Sequence, residues 1–318
     1  MAVLVTGGAG FIGSHVSEAL LARGESVIVI DNLNSFYDPQ LKRQNIAAID
    51  HPNLNVIIGD LSDAEIRKQG LEGVDRVIHL AASAGVRPSI EDPAKYIHQN
   101  LMIPTLLLES MRSAGITKMV WASSSSVYGD HLDTPFSESA SVMKPVSPYA
   151  ATKVGGEALA ACYNHLYGMD ITSLRFFTVY GERQRPEMAI HKFARLMMQG
   201  RPIPQFGDGS TARDYTYIGD IVPGVLAALD RLKGCQVYNL GEAEMVRLDR
   251  LIDGIGQALG QTPQIEVLPL QPGDVTRTNA DIQRAQTQLG YQPTTSIEQG
   301  LARFADWFLA RPWLWQNE

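Results

Sequence analysis

Two residues of the chain have the types and the spacing for proton transfer. Tyr149 and Lys153 lie four positions apart in a segment that begins with Ser147-Pro148. This start is typical of a helix, so both side chains project from one face of it. A free tyrosine has a pKa of about 10, too high for an efficient base at neutral pH. A nearby ammonium group stabilises the phenolate, so the pair predicts a tyrosine base with a lowered pKa.

A loop of four serines is predicted close to this pair. The apolar strand 118–122 runs directly into Ser123-Ser124-Ser125-Ser126. Hydroxyl groups at the end of a strand can orient an alcohol group of a substrate. The loop and the tyrosine–lysine pair together favour chemistry on an alcohol carbon.

A glycine-rich turn near the start of the chain predicts dinucleotide binding. Gly7, Gly10 and Gly13 lie between the apolar strand Ala2–Val5 and a helical pattern over Phe11–Arg23. The glycines permit a tight turn, close approach of a pyrophosphate and close packing of helix on strand. Free amides of the first helical turn then face the phosphate charge. With the tyrosine–lysine pair, this turn predicts hydride transfer to a nicotinamide cofactor. The positive nicotinamide ring is then the second cation, beside Lys153, that is expected to lower the pKa of Tyr149.

Asp31 selects between the two nicotinamide cofactors. It ends a second apolar strand, Ser26–Ile30. A carboxylate at this spacing binds the ribose hydroxyls of adenosine and repels a 2′-phosphate. The predicted cofactor is therefore NAD.

Composition excludes several other classes of protein. The chain has 318 residues, of which 45% are hydrophobic and 19% charged, and a net charge of −7. The charge argues against nucleic-acid or membrane binding. Cys162 and Cys235 are the only cysteines, and no Cys/His cluster has metal-ligand spacing, so we expect neither disulfides nor a metal. A strand begins at Ala2 and no apolar run reaches about 18 residues, which predicts a cytoplasmic protein.

Strand and helix patterns alternate through the first half, which predicts a doubly wound parallel sheet of Rossmann type. The further elements are helix 38–49, strand 55–59, helix 62–71, strand 75–80, helix 92–114, strand 118–122, helix 149–167 and strand 171–176. Helix 219–231 and strand 236–240 return to this sheet, and helices 248–259, 280–289 and 296–310 belong to a smaller α/β lobe. The predicted division is an NAD-binding domain, 1–177 with a return segment at about 213–242, and a discontinuous substrate lobe, 178–212 and 243–318.

The chain resembles the extended short-chain dehydrogenase/reductase family, which includes the NAD-dependent sugar-nucleotide epimerases and dehydratases. The resemblance covers nearly the whole chain and rests on Thr6–Gly13, Asp31-Asn32-Leu33, His79–Ala82, Asn100, Ser125–Gly129, Tyr149 with Lys153, Gly207-Asp208-Gly209 and Arg213-Asp214. It implies a homodimer through helices near 92–114 and 149–167, and a UDP-sugar in the smaller lobe.

The resemblance also implies roles for individual residues. The cofactor would contact Gly7, Gly10, Phe11, Ile12, Gly13, Asp31, Asn32, Asp60, Leu61, Leu80, Ala81, Ala82, Asn100, Tyr149 and Lys153. Ser124 would assist Tyr149 in catalysis. Arg213 would hold the diphosphate of the substrate, with Arg87 as a further candidate, while Phe206 would lie against the uracil and Asp274 near the ribose.

Three segments resemble the members of this family that epimerise UDP-glucuronate at C4: Asp31–Asp38, Ala84–Arg87, and Arg175–Gly181 with its continuation to Ala189. In those enzymes the positions of Ser125, Ser126, Thr178 and Arg185 would surround the sugar carboxylate. An arginine can pair with a carboxylate through two parallel hydrogen bonds. The implied reaction makes UDP-galacturonate through a transient 4-keto sugar.

Three alternatives stay open at this point. A related enzyme could epimerise a neutral sugar such as UDP-glucose or UDP-N-acetylglucosamine, could dehydrate or decarboxylate its substrate, or could have lost activity and only bind NAD. Dehydratases of the family carry an Asp-Glu pair where this chain has Ser125-Ser126. Glu182 is a further departure, because these enzymes often have a proline at that position.

Overall fold

The computed structural model describes residues 2–130, 134–269 and 277–316. Strands and helices alternate strictly at first: β1 Ala2–Thr6, α1 Phe11–Ala22, β2 Ser26–Asp31, α2 Pro39–Ala47, β3 Leu54–Ile58, α3 Ala64–Leu71 and β4 Val74–His79. Then follow α4 Val86–Glu91, α5 Pro93–Ile97, α6 Ile103–Ser113, β5 Lys118–Ser124, α7 Pro148–Tyr167 and β6 Asp170–Phe176. This alternation was the main prediction for the first half, and the bounds differ by only a few residues.

The main sheet has seven parallel strands, in the order β3-β2-β1-β4-β5-β6 and finally β10, Cys235–Leu240. Its strands are apolar on both faces because helices cover both sides. In β1, Val3 and Val5 belong to one buried cluster and Leu4 to the other. The predicted Rossmann-type fold is therefore confirmed, and strand 236–240 does return to this sheet.

The rest of the chain builds two small sheets and several helices. The elements are β7 Thr178–Tyr180, α8 Ala189–Met198, β8 Ile203–Phe206, β9 Ala212–Tyr217, α9 Ile218–Asp230, β11 Met245–Arg247, α10 Leu248–Leu259, β12 Ile265–Leu268, α11 Gln283–Leu289, α12 Ile297–Leu309 and α13 Trp313–Gln316. One small sheet has the order β11-β9-β7 and the other pairs β12 with β8. These strands have three to six residues, too few for a clear periodicity. The division into two lobes stays a prediction.

The predicted single helix 92–114 is interrupted. A π-helical turn, His98–Met102, separates α5 from α6. Pro104 follows it at the start of α6 and has no N–H for the carbonyl of Asn100 four residues back, so the regular α-helical ladder cannot continue there. Across the described residues, no helix combines the length and apolar character needed to cross a bilayer. The cytoplasmic location stays a prediction.

Candidate active site

A cavity of about 480 Å³ lies beyond the carboxyl ends of β1, β2, β4 and β5. This is the edge at which parallel α/β sheets bind their ligands. Most of the predicted site residues line it: Gly7, Gly10, Phe11, Ile12, Gly13, Asp31, Asn32, Asp60, Leu61, Leu80, Ala81, Ala82, Ser124, Ser125, Ser126, Tyr149, Lys153, Thr178 and Arg185. The tertiary structure thus brings the predicted cofactor, proton-transfer and carboxylate residues to a single cavity.

The glycine turn has the shape that a pyrophosphate requires. Gly7 has a φ of +70°, and a Cβ at Gly13 would overlap the carbonyl oxygen of Gly7. Gly10 is more open, since a Cβ there would meet only the Gly7 oxygen at 3.1 Å and the Tyr37 hydroxyl at 4.0 Å. The first turn of α1 carries neither a side-chain cap nor an acidic residue. Its amides and this open surface fit the phosphates of a dinucleotide.

Asp31 is buried at the end of β2 and holds the glycine turn as well as facing the cavity. Its carboxylate accepts hydrogen bonds from the backbone amides of Ala9 (3.2 Å) and Leu33 (2.9 Å). Burial raises the pKa of Asp31, while the charge of Lys42 opposes the rise. Lys42 was not predicted; its ammonium donates to Asn34 and lies 4.8 Å from the Tyr37 ring centroid.

Asn100 does not line the cavity, contrary to the prediction. Its buried amide accepts from the backbone N–H of Ser83 (2.8 Å) and donates to the Ser83 carbonyl (2.9 Å). It also donates to the hydroxyl of Thr152 on α7 (3.1 Å). Asn100 therefore ties the loop after β4, which does line the cavity, to the helix that carries Tyr149 and Lys153.

Tyr149 is placed by the first turn of α7. Ser147 caps this helix by accepting from the amide of Ala150, and Pro148 occupies its first position, as the sequence predicts. The backbone N–H of Tyr149 donates to Ser89 (3.1 Å), and its ring meets the edge of Tyr96. One turn later, the ammonium of buried Lys153 donates to the carbonyl of Ala122 (2.8 Å).

The surroundings of Tyr149 within the protein act on its pKa in both directions. Burial raises the pKa of its phenol, and the hydrogen bond with Ser124 and the charge of Arg185 act in the opposite direction. Burial also lowers the pKa of Lys153 to about 8; the charge of Glu157 opposes this shift, and that of Arg185 adds to it. The protein side chains alone thus do not produce a low tyrosine pKa, because removing the phenolate from water costs more than these contacts return.

A buried ion pair supports this region and was missed in the sequence. Glu157, one turn beyond Lys153 on α7, accepts from Arg175 of β6 at 2.9 and 2.7 Å and from Ser123 at 2.5 Å. Arg175 also donates to the hydroxyl of Tyr128 (2.9 Å). The network fixes the serine loop against α7. In the sequence, the charged Arg175 inside the apolar strand 171–176 was a signal that could have indicated this ion pair.

Arg185 reaches the cavity from the segment after β7. Its guanidinium pairs with Glu187 (3.0 Å) and lies 6.0 Å from the Phe36 ring centroid. Ser124, which also lines the cavity, donates to the Ser126 hydroxyl (3.2 Å) and accepts from the Ser126 amide (3.1 Å). Thr178 completes a set of hydroxyl groups and one guanidinium suited to a carboxylate.

Arg87, Phe206 and Arg213, which were predicted for the nucleotide part of the substrate, are not among the residues that line this cavity. The Arg87 guanidinium is 5.5 Å from the centroid of the Phe206 ring. Arg213 donates to the Ala212 carbonyl on β9 (3.2 Å). Asp274 lies outside the described residues. The structure therefore brings Arg87 and Phe206 together, next to the cavity wall formed by Gly85 and Val86.

Comparison with known proteins identifies the family. Residues 3–241 match the NAD dependent epimerase/dehydratase family. The chain belongs to this family. A UDP-glucuronate 4-epimerase from Arabidopsis thaliana is 44% identical and covers 96% of this chain and 76% of its own length. One from Thermodesulfobacterium geofontis is 42% identical over 96% of this chain and 95% of its own.

A solved structure from Bacillus cereus, a UDP-glucuronic acid 4-epimerase in complex with UDP-glucuronic acid and NAD, superimposes with a TM-score of 0.92. It is 37% identical and covers 98% of this chain and 99% of that chain. As in other members of the NAD dependent epimerase/dehydratase family, the cofactor is NAD, and the glycine turn and Asp31 provide a matching site for it.

Proposed function

We propose that this protein interconverts UDP-glucuronate and UDP-galacturonate by epimerisation at C4. One observation carries the proposal: a tyrosine–lysine pair and a set of hydroxyl groups with one guanidinium, suited to a carboxylate, line the same cavity as the glycine turn. The similarity to UDP-glucuronate 4-epimerases over almost the whole chain supports the same substrate. When bound, NAD would take the hydride from C4 and return it.

Residues of the chain would transfer the proton of the C4 hydroxyl. Tyr149 removes the proton of the C4 hydroxyl and later returns one, and Ser124 holds that oxygen and stabilises the phenolate. Lys153 is held away from solvent by its bond to Ala122, so its charge acts in a poorly screened environment. Burial raises the pKa of Tyr149 and lowers that of Lys153, and the positive nicotinamide ring of bound NAD would favour the phenolate form of Tyr149.

The substrate would lie between two groups of residues. Ser125, Ser126, Thr178 and Arg185 would hold the sugar carboxylate at the inner end. Arg87, Phe206 and Arg213, with Asp274, would hold the UDP part at the outer end. The contact between Arg87 and Phe206 supports this arrangement, since it places a cation beside an aromatic ring suited to stack on uracil.

The direct test is incubation of the purified protein with UDP-glucuronate, followed by separation of the sugar nucleotides. We expect UDP-galacturonate to form without net NADH. UDP-glucose and UDP-N-acetylglucosamine serve as matched neutral substrates. Faster conversion of either, or a dehydrated or decarboxylated product, would replace the proposed reaction, and NAD binding without any turnover would support a sensor.

We expect the protein to be purified with NAD rather than NADP bound, because Asp31 would bind the ribose hydroxyls of adenosine and repel a 2′-phosphate. Denaturation should release NAD rather than NADP, and added NAD should barely increase the rate. Chromatography of the released dinucleotide measures this. Recovery of mainly NADP, or NADH formed in proportion to product, would contradict an internal redox cycle.

We also propose a homodimer through α5, α6 and α7. Apolar side chains are exposed on α5 (Ile97, 54%), on the π-helical turn between α5 and α6 (Met102, 53%) and on α7 (Leu166, 58%). Met102→Glu should therefore give a monomer, while the wild type should have about twice the chain mass of 34.8 kDa. Light scattering during gel filtration measures the mass. Val267→Glu, at an exposed apolar residue on β12, is the control, and a wild-type monomer would refute the dimer.

A further inference from the structure

A second cavity, of about 410 Å³, lies on the other side of the glycine turn. It shares no lining residue with the active-site cavity. Asn45 lines it and donates to the carbonyl of Ala9 within the turn (3.0 Å). The volume is within the range of small-molecule sites, which begins at about 300 Å³. This second cavity has no part in the proposed reaction.

Glu182 and Arg183 form one part of the cavity lining. Glu182 is the position at which related enzymes often have a proline. Arg183 has a φ of +62°, which is strained for a residue with a side chain. Its guanidinium binds both oxygens of Glu18 on α1, at 2.9 and 2.7 Å. The Glu182 carboxylate accepts from the Tyr217 hydroxyl (2.9 Å), and its backbone carbonyl contacts the His15 ring (3.0 Å). The carboxylates of Glu18 and Glu182 therefore both have partners within the protein.

The lining of the second cavity also includes a cation and aromatic rings. Arg311 donates to the carbonyl of Trp307 (2.9 Å) and lies 5.1 Å from its ring centroid. Trp313 lines the same cavity. Within residues 2–130, 134–269 and 277–316, Arg311 forms no ion pair. Burial and, to a lesser extent, the charge of Arg183 lower the pKa of Arg311, and an anion bound beside Arg311 would oppose both effects.

We propose that this second cavity is a binding site for a small aromatic anion. The anionic group would pair with Arg311, which lines the cavity and has no carboxylate partner among the described residues. The flat ring would contact Trp307, Trp313 and Tyr217, since indole and phenol rings stack on planar ligands. The site is separate from the substrate cavity and does not depend on the proposed reaction.

The probe is 2-naphthoate, with 2-naphthamide as the uncharged match. Each is titrated by calorimetry at pH 7 into the NAD-bound protein, with and without saturating UDP. We expect 2-naphthoate to bind under both conditions, and 2-naphthamide to bind at least about tenfold more weakly because it lacks the charge. Binding that disappears with UDP would locate the probe in the substrate cavity and overturn the proposal.

Variants test the site itself. Arg311→Gln should weaken the binding of 2-naphthoate about tenfold. Arg311→Lys keeps the charge but not the planar guanidinium, so its affinity should lie between those of Arg311→Gln and the wild type. Arg231→Gln, at an exposed arginine on the end of α9, is the control and should bind as the wild type does. Thermal unfolding checks that each variant is folded. Equal binding by wild type and Arg311→Gln, or no heat with 2-naphthoate, would refute the site.

Discussion

Replacing Tyr149 with phenylalanine is expected to stop turnover while NAD stays bound. The substitution keeps the ring, its edge contact with Tyr96 and the backbone bond to Ser89. Only the oxygen that moves the proton is lost, and general acid–base catalysis contributes about 10²–10⁴-fold or more. The cofactor is retained because the glycine turn and Asp31 are unchanged. Rates with UDP-glucuronate and the dinucleotide released on denaturation measure the two parts.

Tyr163→Phe is the matched control, since Tyr163 lies on the same helix. Its hydroxyl donates to Glu109 at 2.7 Å, outside the cavity. Losing this bond should cost about 1 kcal/mol of stability and leave turnover unchanged. A Tyr149→Phe enzyme with activity within a factor of about two of wild type, against the 10² minimum expected, would remove Tyr149 from the catalytic role.

Arg185→Ala is expected to affect acidic substrates far more than neutral ones. A bidentate guanidinium–carboxylate contact contributes about 1.5–3 kcal/mol, which corresponds to roughly 10–150-fold in kcat/KM. UDP-glucose has no carboxylate, so its residual use should change little. Parallel assays of UDP-glucuronate and UDP-glucose give the ratio. Equal losses on both would show that Arg185 does not bind the carboxylate.

The same variant should release a decarboxylated product. A glucuronate with a ketone at C4 is a β-keto acid, which loses carbon dioxide when the bond to the carboxyl carbon aligns with the carbonyl π system. Ser125, Ser126, Thr178 and Arg185 would keep that bond out of alignment in both ring orientations. A 4-keto-pentose should therefore appear with Arg185→Ala and be absent with wild type, as measured by mass spectrometry.

Glu187→Gln is a control that should not reduce the use of UDP-glucuronate, in contrast to Arg185→Ala. Glu187 pairs with Arg185 at 3.0 Å and is exposed, so it competes with a substrate carboxylate for the same guanidinium. Removing its charge should leave UDP-glucuronate use equal or slightly better, because exposed ion pairs are worth only about 0–1 kcal/mol. A large loss with Glu187→Gln would mean that the pair is needed to hold Arg185 in place.

Local patterns in the sequence were sufficient for the parts of the site that lie within one element. Tyr149 and Lys153 share a helix face because residues four apart always do, and Ser147-Pro148 is enough to begin that helix. The glycine turn and Asp31 could be located because each follows an apolar strand, and the carboxyl ends of parallel strands meet at one edge. The alternation of strands and helices predicted the parallel sheet, because a helix usually connects one parallel strand to the next.

Contacts between distant segments were decided only by the tertiary structure. Asn100 lies beside the loop after β4 rather than in the cavity, Glu157 meets Arg175 across two elements, and Arg183 pairs with Glu18 although 165 residues separate them. No periodicity links such positions. The direction of the Tyr149 pKa shift depends on burial, which the whole fold determines. The four-residue spacing of Tyr149 and Lys153 could predict a charge near the phenol. It could not predict how much water the surrounding helices and loops exclude from the phenol.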